Sequence, residues 1–281
     1  MPVTRHSDPD AFLAAAAPMA ARGQASASFF TGWAHAMKRT PPSAGERVYL
    51  ATVRDGATYG VAIRRDDGPV IIGQSDAAAA TAFADDLARD SAGLQGVVGA
   101  LPAAEAFAQR WHELTGHTRR LRVRLRQHAL VEVSDVPAAP GAPRTATEAD
   151  TEWLLDGQCA FVAEVGVPDP PERMRALLPK RVLRGEYRIW DHDGRVAFAG
   201  FSDAAPDFAR IAPVYTPPEC RGRGYATSLV ARMASELLAR GKRRLFLTTD
   251  IANPTSNAIY ARIGFRAEND DWHFDFVAPV E

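Results

Sequence analysis

The residues with the plainest chemical potential in this chain are Arg221-Gly222-Arg223-Gly224-Tyr225-Ala226, two glycines and two arginines directly ahead of a helix-forming run. Ala226, Leu229, Val230, Met233 and Leu237 recur at one apolar face of a 3.6-residue period, and Gly241 stands where that helix should stop. A glycine loop feeding a helix start presents several backbone N–H groups at the positive end of the helix dipole, which suits a phosphate. A strand, 208–215, and the turn Thr216-Pro217-Pro218-Glu219-Cys220 lead into the loop.

Two nucleotide motifs compete for this run and neither fits. A dinucleotide fingerprint needs a third glycine where Thr227 stands, and it follows its strand closely, whereas a whole turn separates Tyr215 from Arg221. A Walker loop needs Gly-Lys-Ser/Thr, which does not follow.

The loop resembles that of the GNAT acyltransferase superfamily, Gln/Arg-x-x-Gly-x-Gly/Ala after the fourth strand, with Arg221, Gly224 and Ala226 at its three defined positions. The run 253–265, from Asn253-Pro254 through Tyr260 to Gly264-Phe265, is similar to the same family's Asn-then-Tyr helix. The resemblance covers about 144–277. It implies acetyl-CoA as co-substrate, with no metal. Its phosphates would lie on the backbone N–H groups of Arg223, Gly224, Tyr225 and Ala226, within the loop Arg221 to Ala226 that includes Gly222. Its amide arm would pair along Val214, Tyr215 and Thr216, where two parallel strands splay, the partner strand being 244–249. Asn253 and Asn257 would bond that arm or cap the helix, two readings of equal weight.

The resemblance further implies transfer of an acetyl group to an amine, with Tyr260 protonating the departing thiolate. An amine with a pKa near about 10.4 must lose a proton before it attacks, so a carboxylate is wanted. Glu164, late in a helix, and Asp203, at the end of a strand, are the candidates by position, and for each a solvated surface carboxylate is the plainer reading. The rival function is a non-catalytic acyl-CoA-binding sensor, and O-acyl or longer-chain transfer is a further alternative.

The elements that must position these residues follow from patterning. Two helices open the chain before Pro41-Pro42. Strands at 47–53, 58–64 and 69–73 then form a meander, and helix, strand (94–99), helix and strand (120–126) succeed them. The run 135–143, with three prolines, three alanines and a glycine, has the composition of a linker between a domain 1–134 and a domain 144–281. The second half reads helix, helix, three antiparallel strands, helix, strand, helix, strand. The fold class expected is α+β: a mixed, mostly antiparallel sheet flanked by helices, repeated in tandem, with a first copy that lacks the phosphate loop.

Composition narrows the partners. A formal net charge of −1 offers no global attraction to nucleic acid or to an anionic membrane, so neither is an expected partner. Arginines at 120, 122, 124 and 126 alternate with Leu121, Val123 and Leu125, read as a solvated or carboxylate-paired strand face rather than a nucleic-acid face. The two cysteines, Cys159 and Cys220, make neither a disulfide framework nor a metal motif, and a reducing cytoplasm fits them. His112 and His117 are five apart with Gly116 between them, which spoils a zinc helix.

Overall fold

The computed structural model describes residues 1–20, 25–42, 45–66, 68–73, 75–90, 93–166, 171–203 and 205–279. In chain order the elements are β1 (Val3–Arg5), α1 (Pro9–Ala20), α2 (Ala25–Arg39), β2 (Val48–Asp55), β3 (Thr58–Arg65), β4 (Val70–Ile72), α3 (Ala77–Leu87), β5 (Gly96–Gly99), α4 (Leu101–Thr115) and β6 (Thr118–Leu130). The same sequence of types then repeats: β7 (Ala142–Thr145), α5 (Thr151–Val165), α6 (Pro171–Leu183), β8 (Tyr187–Asp191), β9 (Arg195–Ser202), β10 (Phe208–Tyr215), α7 (Tyr225–Ala239), β11 (Arg244–Asp250), α8 (Pro254–Ile263) and β12 (Arg266–Val277). The repeat matches the expected tandem α+β fold, with mostly antiparallel sheet and helices on its faces.

Two compact units divide the chain, and neither is continuous in sequence. The first comprises Met1–His128, Thr248–Pro254 and Ala267–Glu281, and the second Ala129–Leu247 with Thr255–Arg266. In the first, β1 to β4 are antiparallel neighbours, β5 joins β4 in parallel, and β12 pairs antiparallel with β5 through Trp272↔Gly99 and Phe274↔Val97. In the second, β7, β8, β9 and β10 are antiparallel neighbours and β11 lies parallel to β10. Each unit thus runs three antiparallel steps and then one parallel step.

The patterning explains why these segments fold as they do. In the second unit α7 turns Leu229, Val230, Met233 and Leu237 inward onto Ala197, Phe201, Ile211 and Leu245. The helix shows no polar side chain on that stripe, so burying it is the main gain of the element. Leu229 is fully buried. Truncation to alanine leaves a cavity among these side chains, and Leu229→Ala is expected to cost about 2–5 kcal/mol in chemical denaturation. On the other sheet face α5 and α6 cover Tyr187, Ile189 and Phe198 with Leu154, Leu155, Leu178 and Val182. Helix α6 continues through Pro179.

The arginine-rich β6 is matched by acidic residues of β12 in the same unit. Arg120 and Arg122 bond Asp275 at 3.2 and 3.0 Å, and Arg126 forks onto Asp270 at 2.8 and 2.9 Å. At its inner end Gln127 donates to Asp271 (2.9 Å) and accepts from Thr248 (2.8 Å), so a buried amide is satisfied on both sides.

The stretch 135–143, expected as a linker, packs within the second unit. Its Ala139 N–H donates to Ser228 Oγ at 2.8 Å, its Pro140 carbonyl accepts from Trp190 Nε1 at 2.8 Å, and residues from Ala142 onward pair with β8 as β7. Gly141 is required there. It has φ +102°, and a Cβ would stand 2.3 Å from the Asp191 carbonyl oxygen.

Candidate functional site

The site is built where β10 ends and α7 begins. Strand β10 pairs with β11 at Phe208↔Arg244, Ala209↔Leu245 and Arg210↔Phe246, and then runs on to Tyr215 without a further β11 partner in that register. On its other side the ladder with β9 is irregular between Ile211 and Val214. Pro213 adds a residue without an N–H. The last residues of β10 thus run beyond the stretch registered with β11.

Beyond Tyr215 the chain makes a single 3₁₀ turn, Pro218–Cys220, closed by Cys220 N–H to the Pro217 carbonyl at 2.9 Å. Arg221 is extended, and Gly222 and Gly224 both take positive φ, +77° and +79°. Gly224 is the N-cap of α7, and Ser228 N–H is bonded to its carbonyl at 3.0 Å. In a helix that starts this way the N–H groups of Tyr225, Ala226 and Thr227 precede the first ladder donor and have no intrahelical acceptor. No atom lies within 4 Å of where a Cβ on Gly222 would stand, and a Cβ on Gly224 would meet only Ala139 Cβ, at 3.7 Å. The space beside these two glycines is therefore open.

Arg221 is tied to the flanks of the loop. Its Nε donates to the Thr216 carbonyl at 2.9 Å, an Nη donates to Glu164 Oε1 at 2.6 Å, and its guanidinium carbon stands 5.7 Å from the Tyr215 ring centre. The Glu164 hydrogen bond raises the arginine pKa above its ordinary value, and burial acts in the opposite direction. Burial raises the Tyr215 phenol, with the Glu164 charge adding to it. The structure thus brings Glu164, at the end of α5, to the glycine loop, engaged with a cation; both partners are nearly half exposed. Beside them Thr216 Oγ1 is buried without a hydrogen-bond partner. A hydroxyl so placed costs about 1–3 kcal/mol unless a ligand satisfies it, and an amide-bearing arm along β10 has the donors and acceptors to do so.

Tyr260 lies on α8, its ring set edge-on to Phe265 at 5.9 Å and packed against the same core cluster as Val214, Cys220 and Tyr225. Burial pushes its phenol well above the ordinary tyrosine value. Asn257, one turn earlier on α8, shares its face, and Asn253 stands exposed at the head of the helix with its N–H on the Asp250 carbonyl at 3.1 Å. Gly264, φ +111°, ends α8 where a Cβ would approach the Glu132 carbonyl at 2.9 Å.

Asp203 is not brought to the site. It follows β9, and its carbonyl accepts from Lys242 Nζ at 3.1 Å alongside those of Ala205 and Pro206. That is the Phe208 end of the eight-residue β10, with the loop beyond the Tyr215 end. At about 3.3 Å per residue the two are separated by roughly 25 Å.

Residues 152–265 match the family model described as the Acetyltransferase (GNAT) family. The chain carries a GNAT acetyltransferase domain. Loop, β10 and Tyr260 all fall inside the matched residues. No curated protein matches the sequence. Solved structures of similar fold include a Drosophila protein (17% identity, TM-score 0.67, 98% of each chain) and a GCN5-related N-acetyltransferase from Sphaerobacter thermophilus (17% identity, TM-score 0.62, 100% of this chain and 96% of the other). A tandem GNAT protein from the clavulanic acid biosynthesis pathway is similar over 90% of this chain and 89% of its own, at 15% identity and TM-score 0.55. These likenesses run through both units, so the GNAT-type fold extends beyond the matched domain.

The first unit repeats the fold without the GNAT loop. Strand β4 has three residues, and the connection to α3 is pinned to β3: Val61 N–H donates to Ser75 Oγ (3.1 Å), Asp76 N–H to the Tyr59 carbonyl (3.1 Å) and Tyr59 N–H to Asp76 Oδ2 (3.1 Å). An acidic residue at the N-cap opposes a bound anion, and a Cβ on Gly73 would stand 2.7 Å from Phe30. Among the described residues no group of three or more His, Cys, Asp or Glu is placed to hold a metal ion, and no helix is long and apolar enough to cross a membrane.

Proposed function

We propose that this protein is an acetyl-CoA-dependent N-acetyltransferase in which the second unit binds the co-substrate and Tyr260 acts as general acid. The observation that carries the reading is the loop at the head of α7: two left-handed glycines with open space at their Cβ positions, and three N–H groups ahead of the first ladder donor. Bound there, acetyl-CoA would supply a thioester as the acyl donor. The Arg223 to Ala226 backbone holds the phosphates, and the free edge of β10 from Val214 to Thr216 holds the arm in extended form, with the Thr216 hydroxyl gaining its partner. Asn257, on the Tyr260 face of α8, extends the contacts to the arm. As an amine forms its bond to the acyl carbon and the carbon–sulfur bond breaks, the Tyr260 phenol gives its proton to the sulfur, and the proton shed by the nitrogen leaves through a base or solvent and restores the phenol. Glu164, held against Arg221, is the remaining carboxylate for the incoming amine.

Titration calorimetry with acetyl-CoA, together with thiol release measured across a panel of amines, tests this. Saturable binding and amine-dependent release of free thiol are expected. Binding without amine-dependent release leaves a sensor instead of an enzyme, and no binding removes the reading altogether.

A further inference from the structure

The turn between β8 and β9 reaches the phosphate loop from the side. His192 Nδ1 lies 2.7 Å from the Tyr225 hydroxyl, and the two rings are 5.7 Å apart at 51°. Tyr225 is the first residue of α7, directly after Gly224, and is only 3% exposed. A phenol buried to that degree needs a hydrogen-bond partner, and His192 is the one the structure provides.

The turn that presents His192 is itself held firmly. His192 N–H bonds the Gly194 carbonyl at 2.9 Å, and Gly194 N–H reaches Asp191 Oδ1 at 3.3 Å. Asp191 Oδ2 accepts from Arg144 Nε at 3.0 Å, and the remaining nitrogens of Arg144 fork onto Asp150 at 2.7 and 2.9 Å. Asp150 in turn accepts from both the N–H and the hydroxyl of Thr147. A chain of hydrogen bonds, charge-assisted as far as Asp191, thus runs from the start of α5 through β7 and the β8–β9 turn to the first residue of α7.

We propose that His192 is a positioning residue for the phosphate loop, acting through the Tyr225 hydroxyl. The proposal rests on reading that loop as the coenzyme A site. Phosphate binding by backbone N–H groups depends on where those groups point, to within about half an ångström. Two of the donors belong to Tyr225 and its neighbour Ala226. Fixing the Tyr225 side chain at its far end fixes the backbone at its near end, and Gly224 before it has no Cβ with which to do the same.

His192→Ala and Tyr225→Phe, measured by titration with coenzyme A, are each expected to weaken binding about fivefold, the loss of one buried hydrogen bond. The double variant should lose no more than either single change, because both remove the same interaction. His192→Asn, whose amide occupies the place of Nδ1, should restore affinity, and the acceptor KM should not move. Amide exchange at Ser228 in the ligand-free protein, faster in His192→Ala and not in His192→Asn, reports the positioning without any co-substrate. Unchanged exchange and unchanged affinity in His192→Ala, or losses that add in the double variant, overturn the proposal. If the wild type takes up no coenzyme A, the site reading fails, and Ser228 exchange alone then decides whether His192 orders the loop.

Discussion

Replacing Gly224 with valine is expected to reduce acetyl-CoA affinity by about 100-fold or more while leaving the protein folded. Two separate effects produce this. Gly224 holds φ +79°, which a β-branched residue adopts only at a cost of about 1–2 kcal/mol, so the first turn of α7 shifts or frays. The added methyls also project beside the proposed phosphate donors. Losing two charge-assisted hydrogen bonds, each about 1.5 kcal/mol or more, gives the hundredfold figure. The surroundings favour folding of the variant: a Cβ there would make ordinary contact, 3.7 Å from Ala139 Cβ. Gly241, at the other end of α7, is a matched control. It has φ +92° with nothing within 4 Å of a Cβ, so Gly241→Val carries the same backbone strain at a distance of about 25 Å along the helix. The expected pattern is a similar fall in Tm for both variants and a loss of acetyl-CoA binding in calorimetry for Gly224→Val only. Equal affinities in the two variants would remove the loop from the binding site.

The contrast between what patterning reveals and what it hides is visible in the same unit. Helix α7 was legible because its apolar residues repeat with the helical period and a glycine brackets each end. The strand order, three antiparallel steps and a parallel one, follows from short turns within the meander and a helical crossover after it. The stretch 135–143 was not legible, because nothing periodic holds it in place. Its order comes from a backbone N–H reaching Ser228 and a carbonyl reaching Trp190, side chains far along the chain whose approach no local pattern encodes. Strand β1 is three residues long, too short to show alternation. The grouping of Thr248–Pro254 and Ala267–Glu281 with the first unit likewise depends on pairings such as Phe274↔Val97 at very long range. Asp203 is a different case. An antiparallel hairpin puts its turn at the opposite end of the strand from the following loop, so the chain order alone excludes it from the β10–α7 site. In an Asp-His-Asp-Gly turn His192 reads as a solvent-facing turn residue, and only the fold brings it to Tyr225.

Tyr260→Phe tests the proposed chemistry most sharply, with an expected fall in kcat of about 10²–10⁴-fold and acetyl-CoA affinity within about twofold of the wild type. Phenylalanine keeps the edge-on contact with Phe265 and the packing against the α7 core, so the change removes a hydroxyl and little else. The pH profile supplies an independent check. A general acid must carry its proton when it acts, and burial raises the Tyr260 pKa above its ordinary value of about 10. The sign is favourable: the phenol stays protonated across the neutral and mildly alkaline range, where an amine acceptor becomes increasingly deprotonated and reactive. Activity should therefore rise with pH toward the pKa of the acceptor and show no alkaline decline from Tyr260 below about pH 10. The same raised pKa means that the folded state loses stability on this account only as pH climbs above the unfolded value, outside the assay range. Wild-type kcat retained in Tyr260→Phe at saturating amine would leave the tyrosine as a packing residue under the co-substrate. A loss that appears wholly in acetyl-CoA affinity would reassign it from proton donor to binding contact.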